Sequence, residues 1–158
     1  MLEPKKTKFR FPFSSSYEGK VKGNKNITWG QFGLKVNKGS YITAAQIEAA
    51  RKATNKFVKK NGDMIIKIFP HLIKTKKPIG VRMGCGKGAR VGYVAVVREG
   101  TIIIEVSGLE KKKAYEALLA AKYKIPGKCE CEVIELEKKE KSSKKNEKNY
   151  TTLRQDWI

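Results

Sequence analysis

Between residues 44 and 60, Ile47, Ala50, Thr54, Phe57 and Val58 fall on one stripe at helical spacing, with charged and polar residues between them. Thr43 precedes this run and Gln46 stands three residues further on, the spacing of a capping box, so a helix is predicted over 44–60 with Asn61-Gly62 as its stop. A second helix is predicted over 110–124, where Ala114, Ala117, Leu118 and Ala121 share a face small enough for close packing on a sheet. Elsewhere the apolar residues alternate or run in β-branched blocks. Strands are expected over 27–35 (Ile27, Trp29, Phe32, Leu34, with Gly30 and Gly33 marking a bulge), 40–42, 63–69, 92–98, 101–107 and 128–136. Glu99-Gly100 between the fourth and fifth of these reads as a hairpin turn, and their nearly continuous Val and Ile content as burial. In the last one, Cys129, Cys131 and Val133 (or Ile134) alternate with glutamates, so it should be half-exposed. The order is β-β-α-β-finger-β-β-α-β, an α+β domain.

Three stretches carry no period. Residues 1–26 are basic, broken by Pro4, Pro12, Gly19 and Gly23, and read as an extended arm that orders only on a partner. Phe9, Phe11, Phe13 and Tyr17 within it suit either packing on the domain or stacking on bases. Residues 137–158 are rich in Lys, Glu, Ser and Asn, a charged extension ending in Leu153, Trp157 and Ile158, which would dock as a small apolar anchor. The third, 70–92, lies between ordered segments and is too long for an ordinary connection. Its central part, 74–90, holds six Lys or Arg, four Gly and no acid. Glycines permit positive φ and close backbone approach, and the charge suits an anion, which together suggest a basic finger made to enter folded nucleic acid. The chain therefore divides into an arm (1–26), an α+β RNA-binding domain (27–136, finger loop 70–92) and an extension (137–158).

Charge sharpens this picture. The formal net charge is +20, extreme for 158 residues, and points to nucleic acid before any other partner. It is concentrated in the first two-thirds: residues 1–40 carry nine basic and two acidic residues, residues 41–108 thirteen and four, while 109–136 are nearly balanced. On the first helix, Lys52, Lys56, Lys59 and Lys60 gather on one face with Arg51 beside them and no interleaved acids, a pattern for phosphate contact rather than a merely solvated face. No apolar run reaches membrane-spanning length and no secretory or transit signal is visible, so no membrane partner is expected. Three cysteines, an odd number, argue for a reducing compartment.

Catalytic and cofactor chemistry finds no support. Five residues separate Gly80 from Gly86-Lys87 where a phosphate-binding loop needs four, and Gly88 stands where the magnesium-binding hydroxyl belongs. Gly84, Gly86 and Gly88 merely alternate, unlike a dinucleotide fingerprint. Cys129 and Cys131 are two apart on a strand, not in a zinc knuckle, and with Cys85 and His71 make a weak ligand set. His71, the only histidine, has no nucleophile motif beside it. No enzyme, metal or cofactor is expected.

Several segments resemble the bacterial-type universal large-subunit ribosomal protein sixteen family, in order along residues 1–136. They are Met1-Leu-x-Pro-Lys-Lys-Thr-Lys-x-Arg10, Trp29-Gly-Gln-Phe-Gly-Leu34, Ile42-Thr-Ala-Ala-Gln-Ile-Glu-Ala-Ala-Arg51, Ile68-Phe-Pro70, Thr75-Lys-Lys-Pro78, Arg82-Met-Gly-x-Gly-Lys-Gly88, Val94-Ala-Val-Val97 and Lys124-Ile-Pro126. The resemblance implies an α/β-hammerhead-like domain with a mixed β-sheet and two helices. It implies a structural role in the large ribosomal subunit, among ribosomal RNA and neighbouring ribosomal proteins near the A site, with contact to the elbow of A-site tRNA. Carried onto this chain, it implies RNA contact by Lys5, Lys6, Lys8 and Arg10 of the arm and by Arg51 and Lys52 of the helix, beside Lys56 and Lys59, which the charge pattern of that face already offers. In the finger it implies contact by Lys74, Lys76, Lys77, Arg82, Met83, Lys87 and Arg90, with Arg82, Met83 and Lys87 at the tip. The setting implied is a ribosome in a bacterial cytoplasm or an organelle interior; a free-standing RNA-binding regulator or chaperone using the same domain is the alternative. The chain departs from the family pattern at Phe11-Pro-Phe-Ser-Ser-Ser16, where basic residues are usual, at Cys85 in the finger tip, at Gly92-Tyr93 and throughout 137–158.

Overall fold

The computed structural model describes residues 2–9, 12–59, 62–126 and 131–135. Within them the chain forms β1 (Phe32–Val36), β2 (Ser40–Thr43), α1 (Ala44–Val58), β3 (Asp63–Ile66), β4 (Leu72–Lys76), β5 (Ala89–Val97), β6 (Ile102–Ser107), α2 (Lys111–Lys122) and β7 (Cys131–Glu135). The capping box at the start of α1 is formed as the spacing predicts. The Thr43 hydroxyl accepts from Gln46 N at 3.3 Å, and Gln46 Oε1 accepts from Thr43 N at 2.9 Å. Removing it in Thr43→Ala should cost about 1 kcal/mol, measurable by chemical denaturation without change in the folded baseline.

Ala44, Ile47, Ala50, Thr54 and Val58 are the buried face of α1. Thr54 is accommodated there because its hydroxyl donates back to Ala50 O at 3.0 Å. Phe57, expected in the stripe, is 37% exposed. At about 100° per residue it falls about 80° round from Ile47, on the stripe's margin. The helix ends at Val58, with Lys59 N donating to Asn55 O at 3.0 Å; Lys60 and Asn61, part of the expected stop, lie outside the described residues. In α2, Ala114, Ala117, Leu118 and Ala121 are all fully buried, as their spacing predicts. The two helices pack on each other, and α2 also meets β1 and β7.

The α+β class holds, but in place of one mixed sheet the strands divide between two antiparallel sheets, ordered β3-β6-β1-β7 and β2-β5-β4. Leu34 and Val36 of one sheet, Ile42 and Val97 of the other, and Ile47 and Leu118 of the helices share one core. The turn at Glu99-Gly100 does not close a hairpin between β5 and β6; it hands the chain from one sheet to the other. Its polar groups are used elsewhere, which is why no two-stranded ladder forms there. Gly100 N donates to Val36 O at 2.7 Å, Val36 N to Thr101 O at 2.9 Å, and Val21 N to Glu99 O at 2.9 Å. The link from β1 to β2 makes the same crossing beside it.

The strand expected over 27–35 begins only at Phe32, because the amides of Thr28, Trp29 and Gly30 point at the Glu105 carboxylate instead of a neighbouring strand. The strand expected over 63–69 is β3, four residues long. The last strand is half-exposed at the sheet edge, as expected, with Glu132 and Glu135 exposed and Val133 partly buried. Cys129 and residues 137–158, including Trp157, lie outside the described residues.

The arm is not free over its second half. Tyr17 meets Tyr41 edge-on with ring centroids 5.1 Å apart, Tyr41 Oη donates to Ser15 O at 2.7 Å, and Lys20 makes a parallel bridge to Glu99. Gly39 makes room for this path, since a Cβ there would stand 2.5 Å from Tyr17 O and 2.8 Å from Val97 O. The expectation that the arm orders only on a partner is therefore corrected for this part. Hydrogen bonds to the crossovers and packing on β2 hold it against the domain.

Candidate nucleic-acid interface

The segment 70–92, expected to be a long loop, is a β-ribbon at its base, formed by 72–76 and 89–92. Leu72 pairs with Val94, Ile73 with Tyr93, Lys74 with Gly92, Thr75 with Arg90 and Lys76 with Ala89. The register slips between Lys74 and Thr75, leaving Val91 as the extra residue of a bulge. Core-side residues of the ribbon (Leu72, Ile73, Tyr93, Val94) are buried, and beyond the bulge Lys76, Ala89 and Arg90 are exposed and Thr75 half-buried. Alternation was hidden here because the distal half has no core to face, so nothing selects apolar residues on either side.

Beyond the ribbon, 77–88 is loop, and its backbone needs its glycines. Gly80, Gly84 and Gly86 have φ of +84°, +108° and +83°, and Cys85 between the last two has φ +52°. Gly88 closes the neck: a Cβ there would lie 2.6 Å from the carbonyl carbon and oxygen of Lys76.

The predicted side chains divide by what already holds them. Lys74, Lys76, Arg82 and Met83 are exposed and make no hydrogen bond or ion pair through their side chains among the described residues. Lys77 Nζ donates to Gly84 O, bracing the loop across its own width. Lys87 Nζ donates to Pro12 O at 3.1 Å, joining finger to arm. Arg90 lies over the Tyr93 ring at 5.3 Å and donates from Nη1 to Tyr93 Oη at 2.7 Å, which sets its direction at the finger's base. On α1, Lys52, Lys56 and Lys59 are exposed on one side. Arg51 instead forms a two-pronged pair with Glu48, Nε to Oε2 at 2.9 Å and Nη2 to Oε1 at 2.7 Å. That hydrogen bond holds the Glu48 carboxyl below its usual range and raises the Arg51 guanidinium. Lys5, Lys6 and Lys8 are exposed in the arm, and Arg10 lies outside the described residues.

The tip also carries Ile79, 97% exposed, beside exposed Val81 and Met83. Sequence reasoning singled out only Met83. The available signal was Pro78-Ile-Gly-Val81, two apolar residues in a loop with no apolar neighbours to bury them.

The interface has a rigid support. Glu105, in the middle of β6, is fully buried. Burial alone would push its carboxyl up. The amides of Gly30 (3.0 Å), Trp29 (2.8 Å) and Thr28 (3.2 Å) and the Lys67 ammonium (3.3 Å) outweigh burial and hold it below its usual range. Lys67 also donates to Thr28 Oγ1, so one buried carboxylate fixes 28–30 and the start of the segment leading to the finger.

Among the described residues no group of three or more His, Cys, Asp or Glu is placed to hold a metal, and no helix is long and apolar enough to cross a membrane. A two-sheet α+β scaffold that projects an acid-free β-finger defines a class of basic scaffold protein. The family model described as Ribosomal protein L16p/L10e matches residues 4–132, and the chain belongs to that family, one of structural ribosomal proteins rather than enzymes. It is 51% identical over 129 residues to the large ribosomal subunit protein uL16 of Spiroplasma kunkelii, covering 82% of this chain and 94% of the relative. The proteins of the same name from Ureaplasma parvum serovar 3 and Mycoplasma pneumoniae are 52% and 49% identical over 126 residues, covering 80% of this chain and 91% of each relative.

Proposed function

We propose that the protein is a structural constituent of the large ribosomal subunit that binds large-subunit ribosomal RNA through its finger, its arm and the lysine side of α1. The observation that carries this reading is the finger itself. Three cations (Lys74, Lys76 and Arg82) are left without partners among the described residues, on a ribbon that has no acid within it and whose base is buried in the core. Lysine and arginine bind phosphate by displacing counterions, so affinity comes without sequence reading, and specificity comes from the shape the ribbon enters. In this reading 1–26 is the arm, 27–136 the RNA-binding domain and 137–158 a charged extension.

The finer assignment is that the finger tip stands beside the A site and that the domain touches the elbow of A-site tRNA. Support comes from the family resemblance and from the exposed tip, where Arg82 offers a planar donor fork and Met83 and Ile79 offer apolar contact. The relatives named above come from bacteria, which favours a ribosome in a bacterial cytoplasm over an organelle. The test is reconstitution. Large subunits assembled with Arg82→Ala protein should retain the protein and bind A-site tRNA about tenfold more weakly. Retention with unchanged A-site binding would remove the tRNA contact and leave the ribosomal-RNA role standing.

A further inference from the structure

Apart from the finger, the molecule has an open cavity of about 420 Å³ at the junction of the arm, the segment between β3 and β4, and the crossover from β5 to β6. That is within the usual size of small-ligand sites, roughly 300–1,000 Å³. Ile68 and Val96 give it apolar walls, and the Phe69 ring is 46% exposed beside them. Asn24 lines it as well. The Asn24 amide is oriented by its own donor, since Nδ2 gives a 2.8 Å hydrogen bond to Ile102 O, which leaves Oδ1 as a buried acceptor with no donor among the described residues. Asn24 is held in the left-handed region at φ +44°, with its carbonyl accepting from Ile102 N, so the amide is fixed from both sides. At the rim, His71 Nδ1 lies 3.2 Å from Phe69 O and donates there, which leaves Nε2 to accept. Arg98 reaches Ser16 O only through two long contacts of 3.4 Å, so most of its donor fork is uncommitted.

We propose that this cavity, lined by Asn24, Phe69, His71 and Arg98, holds one unstacked nucleotide of the bound RNA. A base needs an apolar slot with an aromatic face, a fixed acceptor for its exocyclic amine or ring N–H, and a cation for the phosphate beside it. The cavity supplies all three. Phe69 provides the face, His71 Nε2, oriented by the Nδ1 bond to Phe69 O, the acceptor, and Arg98 the phosphate donors, while the pinned Asn24 amide shapes the wall. Lys67 contributes charge to the rim while its ammonium stays on Thr28 and Glu105. The proposal rests on the RNA-binding reading above and adds a second element to it, in which the finger enters by shape and charge and the cavity captures a base.

The test uses the full chain and two RNA hairpins of equal length and charge, one fully paired and one with a single 2-aminopurine bulge. The wild type should bind the bulged hairpin about tenfold more tightly, with a change in 2-aminopurine emission. Phe69→Ala removes the stacking face, and Ser15→Trp fills the mouth while leaving the Ser15 carbonyl on Tyr41 in place. Each should abolish the preference and leave affinity for the paired hairpin unchanged. Tight, equal binding of both hairpins by the wild type would overturn the nucleotide site while leaving the RNA reading intact. Binding of neither would overturn the RNA reading and the site with it. A preference that survives both substitutions would place the bulge elsewhere and overturn the site. Cytidine monophosphate alone shifting the amide signals of residues 24, 69 and 98, without any bulge preference, would make the ligand a free nucleotide and contradict the proposal as stated.

Discussion

Glu105→Ala is expected to destabilise the domain by about 3–5 kcal/mol, the usual cost of breaking a buried, hydrogen-bonded charge pair. The carboxylate is fully buried and is the acceptor for three backbone amides and Lys67. Without it, those donors are stranded in the interior, and residues 28–30 lose what replaces their strand partner. Whole-domain stabilities are about 5–15 kcal/mol, so the variant should be close to unfolding at growth temperature. Glu105→Gln keeps the shape but turns one oxygen into a donor facing a donor, so about 2–3 kcal/mol should be lost. The same residue sets a pH dependence. Its native carboxyl titrates below the ordinary value of 4.5, so its stabilisation is complete above that value. It is lost as pH falls from there through the lowered native value, because the unfolded chain then takes up the proton first. Urea melts of the wild type and Glu105→Gln at neutral pH and between about pH 5 and 3 should therefore converge toward acid. Parallel curves would mean that the carboxylate is not the stabilising group.

The second large effect lies in the finger, and it should separate binding from stability. Replacing residues 78–87 by Asn-Gly closes the β4–β5 ribbon with a two-residue hairpin turn between Lys77 and Gly88. Leu72, Ile73, Tyr93 and Val94 stay buried below the cut, so the melting temperature should hardly move. Affinity for large-subunit ribosomal RNA should fall about a hundredfold near 0.1 M salt, with loss of Arg82, Lys87 and the apolar tip. The slope of log affinity against log salt should become shallower by about 1.4–1.8, since two phosphate contacts are removed. A drop in affinity with an unchanged slope would mean that the finger acts by shape alone.

What could be read beforehand depended on whether a residue's role was local. Helix α1 announced itself through Thr43 and Gln46, and α2 through its alanines, because caps and 3.6-residue periods are properties of neighbouring residues. The finger's charge was equally plain. Its ribbon was not, because Thr75 and Lys76 have polar side chains on both faces once the strand leaves the core, and pairing with Arg90 and Ala89 is non-local. Glu99-Gly100 misled for a related reason. The dipeptide suits a hairpin turn, but the choice between pairing β5 with β6 and crossing to the other sheet is made by Val36, Val21 and Thr101. Glu105 gave no sign at all. The run Ile102, Ile103, Ile104 and Val106 reads as buried, but the amides that let a carboxylate stay there lie more than seventy residues earlier. Arg51 shows the converse, a cation expected to meet phosphate that is engaged by Glu48 one turn away.

Sedimentation of tagged protein from lysate, followed by a moderate-salt wash of the large-subunit fraction, tests the central claim most directly. The account predicts that the protein travels with the large subunit and stays there through the wash, with the Asn-Gly finger variant released at lower salt than the wild type. Wild-type protein remaining at the top of the gradient, or leaving the subunit at low salt, would contradict it and favour a free-standing RNA-binding regulator.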